Sequence, residues 1–119
     1  MPKSEKNEIC CRPRLRITVG KEIALGPGKI NLLEAIEAKG SISSGAREIG
    51  MSYRRAWQMI NTINNCFNNP LVKGVKGGKG GGGAQVTALG KQVIGLYRSM
   101  EIKANKSIKP EWNSIRKLL

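Results

Sequence analysis

Three features of the 119-residue sequence predict a mainly α fold with a small amount of β: a winged helix-turn-helix with a three-helix core, a β-hairpin wing and a long C-terminal helix. Apolar residues recur at helical spacing over 29–39, 44–49 and 53–65, with short polar breaks between them. Ala46, Gly50 and Ala56 stand in the order that a helix-turn-helix needs: a small residue where the helices touch, a residue tolerating positive φ in the turn, and a small residue facing inward on the second helix. A glycine-rich segment at 77–83 then separates two short β-type runs, and a long apolar stripe follows.

Residues 1–12 are polar and form a flexible N-terminus. Arg14 to Val19 alternates charged or polar with apolar residues, the pattern of a half-buried strand. Gly20-Lys21 is a two-residue turn, and Glu22 opens the partner run Ile23-Ala24-Leu25, so a short hairpin is expected here. Pro27 suits a helix start; Ile30, Leu32, Leu33 and Ile36 carry the first helix, and Gly40 stops it. Ser41-Ile42-Ser43 is read as a connector, with Ser43 capping a second helix over Ser44 to Ile49. After Gly50-Met51, Ser52 caps a third helix from Tyr53 to about Asn65. Ala56, Trp57, Ile60, Ile63 and Phe67 form its inner side, and Trp57 is assigned to the core. Asn68-Asn69-Pro70 ends that helix. Leu71 to Val75 and Ala84 to Thr87 are the two halves of a hairpin with a long, mobile, basic tip. Thr87 caps a fourth helix over 88–108 with a stripe of Leu89, Val93, Leu96, Met100 and Ala104, widened by Ile94 and Tyr97. Pro110 breaks it, and 111–119 is a tail with room for one short helix. The winged domain thus spans 13–109 and the tail 110–119.

Composition limits the chemistry. Lys and Arg number 21 against 8 acidic residues, a net charge of +13, and histidine is absent. That excludes Ser-His-Asp and Cys-His nucleophile systems and histidine metal sites. Cys10 and Cys11 are adjacent and Cys66 is remote, so no C-x-x-C zinc or redox pair exists. A redox or metal sensor at Cys10-Cys11 lacks the four ligands usual for such a site. No apolar run approaches the roughly 20 residues of a membrane helix, and no amphipathic segment pairs a basic with an aromatic face. An odd cysteine count with no evident signal peptide leads to the expectation of reduced thiols in a cytoplasm. Neither an enzyme nor a bound cofactor or metal is expected.

No residue from Ile49 to Met100 is acidic, whereas the same stretch carries Arg54, Arg55, Lys73, Lys76, Lys79, Lys91 and Arg98. Such a field suits a polyanion, because each neutralised phosphate releases condensed counterions. The second helix of a helix-turn-helix, here the third helix of the domain, is expected to enter the major groove. Its first turn holds Ser52, Tyr53, Arg54 and Arg55, followed one turn later by Gln58. Arg pairs with guanine O6 and N7, Gln pairs with adenine, and the N-terminal amides beside Ser52 suit a phosphate. Lys73, Lys76 and Lys79 on the hairpin are placed for phosphate or a minor groove. A P-loop is rejected, because Gly74 is one residue too close to Gly78-Lys79 and Gly80 stands where Ser or Thr should hold magnesium.

Ser52-Tyr53-Arg54-Arg55-Ala56-Trp57 and Gly77-Gly78-Lys79-Gly80-Gly81-Gly82-Gly83-Ala84 resemble the N-terminal DNA-binding domain of the molybdate-responsive transcriptional regulator (ModE) family. Ser41-Ile42-Ser43-Ser44-Gly45-Ala46 resembles the family's entry to the second helix, and Leu89-Gly90 its dimer-helix start. The resemblance runs from about Leu15 to Tyr97. It implies a winged helix similar to that of LysR-type regulators, dimeric, with Ser52, Tyr53, Arg54 and Arg55 on the recognition helix and Lys79 with its glycines on the wing. The family's oxyanion-binding domains have no counterpart in the 119 residues, so molybdate binding is not expected. No N-terminal dimer helix is evident, which leaves the helix over 88–108 to pair two protomers. The expected function is a sequence-specific double-stranded-DNA-binding transcriptional regulator acting as a homodimer. The alternative is a winged-helix adaptor that binds an acidic protein or RNA.

Overall fold

In the computed structural model, which describes residues 8–75 and 83–119, two strands open the fold. β1 (Ile17–Val19) and β2 (Glu22–Leu25) pair antiparallel. Gly20 turns the chain between them at φ +61°, a conformation that side chains with a Cβ disfavour. The alternation puts Leu15 and Ile17 against the core, while the consecutive Ala24 and Leu25 at the end of β2 are both buried in it. β1 is shorter than the expected run from Arg14, because Ile17 already pairs with Leu25, the last residue of β2.

α1 (Pro27–Lys39) starts on Pro27 and stops at Gly40, whose φ of +79° lets its N–H reach the Ile36 carbonyl at 2.8 Å. Ile30, Leu32, Leu33, Ala35 and Ile36 are all buried. They spread around much of the helix, and neighbours meet it on several sides: α1 packs on β2 and on every later helix of the core.

α2 (Ile42–Glu48) begins earlier than the sequence pattern indicated. Ser41, not Ser43, is the cap, accepting the Ser44 N–H at 3.0 Å. The earlier start brings Gly45 onto α1, where a Cβ would lie 2.9 Å from Ile36 Cγ1. Tertiary contact with α1 therefore decides between two serines that are locally equivalent. Gly50 (φ +69°) makes the turn, and the Met51 N–H donates back to the Ala46 carbonyl at 2.8 Å. α3 (Tyr53–Cys66) is capped by Ser52, which accepts the Arg55 N–H at 3.2 Å. Ala46 and Ala56 are both buried at this junction.

β3 (Val72–Val75) and β4 (Gly83–Val86) form the second hairpin, paired from Val72↔Val86 to Val75↔Gly83. β4 is tied to the end of α1 through the Ala84 N–H, which donates to the Gly40 carbonyl at 2.9 Å. Thr87 caps α4 (Ala88–Ser107) by accepting the Gly90 N–H at 3.0 Å; its hydroxyl also donates to the Pro70 carbonyl at 2.8 Å. α5 (Lys109–Arg116) starts two residues before the expected tail helix, with Pro110 in the first turn where its missing N–H costs nothing. The architecture is mainly helical with two small antiparallel hairpins, compatible with a winged helix.

The expected stripe of α4 divides. Ile94 and Tyr97 are buried in the chain's own core, and Leu89 and Val93 pack against it. Leu96 and Met100 remain exposed. Among the described residues, no helix is long and apolar enough to cross a membrane.

Candidate nucleic-acid interface

α3 buries Ala56, Ile60 and Ile63. Its remaining circumference is set by that choice: Arg54, Trp57, Gln58 and Asn61 recur at spacings of three and four, and all four are exposed on one face. Trp57 is 51% exposed, which corrects its assignment to the core. It neighbours Ala56 in sequence, but one residue is a 100° step around a helix, enough to swing the indole out of the seam. The ring stands at a cleft of about 230 Å³ between α3 and the second hairpin, lined by Ile42, Ile60, Val72, Lys73 and Ala84 among others. Asn61, on the same cleft, was not among the expected site residues, although its spacing from Arg54 and Gln58 marks it as a neighbour on that face.

The other expected residues fall as follows. Ser52 sits at the helix start with its oxygen committed to the Arg55 N–H. Tyr53 is exposed beside it. Lys73 is exposed on β3 and lines the cleft with Trp57. Lys76 and Lys79 lie outside the described residues. Arg55 is exposed but leaves the Arg54 face: with Gln58, Met59 and Thr62 it lines a separate crevice of about 320 Å³, whose opposite wall is Lys21, Glu22, Ile23 and Lys29. Lys21 and Lys29 were not anticipated, because they belong to the first hairpin and to α1, far away in sequence. Burial pushes the Lys29 ammonium below the usual lysine range, and the nearby Arg55 and Arg16 charges push the same way against Cys66 and Glu22.

The acid-free stretch of sequence is not wholly acid-free in space. Arg98 donates to both Glu34 oxygens, to Glu101 Oε1 at 2.7 Å and to Asn31 Oδ1 at 2.9 Å. These bonds, that to Glu34 foremost, hold its guanidinium charged even more firmly than usual. Lys91 lies 4.0 Å from Glu37. Two of the seven cations counted there are thus drawn to carboxylates on α1 and α4. Arg54, Arg55 and Lys73 make no ion pair among the described residues.

No family model matches the chain. It is 40% identical over 95 residues to the molybdenum transport protein ModE of Azotobacter vinelandii, covering 80% of this chain and 35% of that protein. It is 42% identical over 83 residues to the DNA-binding transcriptional dual regulator ModE of Escherichia coli (strain K12), covering 70% and 32%. It is 42% identical over 84 residues to the molybdenum-pterin-binding protein MopA of Rhodobacter capsulatus, covering 71% and 32%. The chain spans about a third of the length of these relatives.

Proposed function

The chain belongs with the ModE-type regulators over the residues it shares with them, and from that premise we propose that it regulates transcription by binding double-stranded DNA in a sequence-specific manner. The carrying observation is the α3 face. Arg54, Trp57, Gln58 and Asn61 stand out together beside Lys73, on a helix seated by a turn at Gly50 and a cap at Ser52. A rigid helix presenting one bidentate cation and two amides matches what major-groove edges require. Lys73, with Lys76 and Lys79, anchors the backbone and fixes the register. The action is binding, without catalysis. Leu96 and Met100 on α4 are the surface through which two protomers pair, setting two α3 helices about 34 Å apart, one turn of DNA.

Fluorescence anisotropy with a labelled duplex tests this. Arg54→Ala should weaken binding by roughly 1–3 kcal/mol and relax base preference, whereas Lys73→Ala should weaken all duplexes alike. If both variants match the wild type at low salt, the groove assignment fails. Preferential binding of an acidic peptide or RNA over duplex would favour an adaptor instead. For the dimer, Leu96→Lys should shift the mass measured by light scattering to that of a monomer.

A further inference from the structure

Building on the DNA-binding reading above, we propose that the crevice between the β1–β2 turn, the start of α1 and the flank of α3 is a seat for a backbone phosphate of the bound duplex, with Lys21, Lys29 and Arg55 as its cations. Arg55 is then a backbone anchor, and base reading on α3 falls to the Arg54 face.

Three observations meet here. The crevice, about 320 Å³, brings three cations to one opening against a single carboxylate, Glu22. Among the described residues none of the three cations, nor Glu22, is in an ion pair, in contrast to Arg98, Lys91 and Lys39, each of which has a carboxylate within 4.0 Å. The three cations outnumber the one carboxylate that lines the opening; burial foremost depresses the proton affinity of Lys29, and the Arg55 and Arg16 charges add to it against Cys66 and Glu22. A phosphodiester oxygen supplies the missing negative charge. Gln58 and Thr62, two residues with neutral donor groups, line the same opening.

The position on the helix decides what is bound. Arg55, Met59 and Thr62 follow one another at spacings of four and three along α3, on a different side from Arg54 and Asn61. A helix lying in a major groove directs one face at base edges and its flanks at the sugar–phosphate walls. Gln58 lines the crevice and also stands on the reading face, so it joins the two contacts. The first hairpin, which the helix-turn-helix reading left without a role, becomes a backbone clamp through Lys21 in its turn.

The experiment is a salt titration of duplex affinity for the full chain and for Lys21→Gln, Lys29→Gln and Arg55→Gln. Each variant should lose several-fold in affinity at moderate salt. Each should also make the slope of log affinity against log salt shallower by about 1, with the rank order of duplex sequences unchanged. Lys21 stands in an exposed turn, so Lys21→Gln carries the test should Lys29→Gln loosen the fold. Unchanged slopes for Lys21→Gln and Arg55→Gln, with Arg54→Ala still weakening the complex, overturn the phosphate seat and leave the DNA-binding reading standing. A changed base preference in Arg55→Gln overturns it too. Failure of the wild-type chain to bind duplex at low salt overturns the function itself.

Discussion

Asn64 on α3 grips Val72 on β3 through both ends of its amide. Its Nδ2 donates to the Val72 carbonyl at 2.9 Å, and its Oδ1 accepts the Leu71 N–H at 2.9 Å and the Val72 N–H at 3.3 Å. One side chain thus replaces the strand partner that β3 lacks on this side, and it sets the second hairpin against α3. Asn64→Ala strands a carbonyl and two N–H groups in a partly buried place, where each unsatisfied group costs about 1–3 kcal/mol unless water reaches it. The expected loss of stability in urea unfolding is about 2 kcal/mol. Asn64→Asp keeps the acceptor but turns the donor into a charged oxygen facing the Val72 carbonyl, so it should lower the midpoint as well. Equal midpoints for all three proteins would show that the hairpin is held elsewhere.

The Arg98–Glu34 contact joins α4 to α1 across most of the chain's length. Both side chains are more than a third open to solvent or close to it, so the gain is modest despite the bidentate geometry. A double-mutant cycle with Arg98→Met and Glu34→Gln should return a coupling of about 1 kcal/mol that shrinks as salt is raised. The same substitutions should leave the salt slope of DNA binding unaltered, because Arg98 is already committed to carboxylates.

Tyr97 is buried on α4, and its hydroxyl donates to the Leu15 carbonyl at 2.7 Å. Burial, with Glu101 adding to it, raises the phenol above the usual value of about 10, while Arg98 and Arg14 pull the other way. The folded state thus favours the protonated phenol. Its contribution is fully present below the unfolded value and is lost as pH rises through the folded one. Lys29, depressed by burial, works with the opposite sign in the alkaline range, since its charged form is the one that folding disfavours. Comparing wild type with Tyr97→Phe isolates the phenol. Phe should cost about 1 kcal/mol at neutral pH. The gap between the two thermal midpoints should narrow above about pH 10. A gap constant to pH 11 would rule out the hydrogen bond to Leu15 as its source.

Much of the fold is legible in local sequence because local physics sets it. Ser52 and Thr87 cap helices, Gly40 ends one, and Gly20 and Gly50 take up the positive φ that their turns need. The Ala46–Gly50–Ala56 order marks the helix junction for the same reason, since only small residues let the two backbones approach. What escaped notice depends on three dimensions. The choice of Ser41 over Ser43 rests on Gly45 meeting Ile36. The withdrawal of Arg98 from the basic field rests on a carboxylate on another helix. The division of the α4 stripe rests on which of its residues the core reaches. Of the exposed α3 face, Arg54 and Gln58 were among the expected residues; Asn61 was implied by helical period alone, and Lys21 and Lys29 join Arg55 only once the first hairpin and α1 fold against α3.

Trp57 offers the most direct test of the face as a whole. A large aromatic ring left 51% exposed beside a charged hairpin gains little for the isolated chain. It gains more where a partner removes it from water, as aromatic anchors do in binding surfaces. The proposed duplex partner offers such a ring apolar groups, a thymine methyl among them. Trp57→Ala should change unfolding free energy by no more than about 1 kcal/mol, because the ring fills only the rim of the cleft. Duplex affinity should fall about tenfold, equivalent to about 1.4 kcal/mol. The chain has two tryptophans, so Trp112→Phe leaves Trp57 as the sole tryptophan, read without the tyrosines by excitation at the red edge of the absorption band. In that variant, binding of duplex should shift the emission toward shorter wavelength as water leaves the ring. An emission spectrum indifferent to saturating duplex, in a protein that binds it by anisotropy, would place the contact on some other surface.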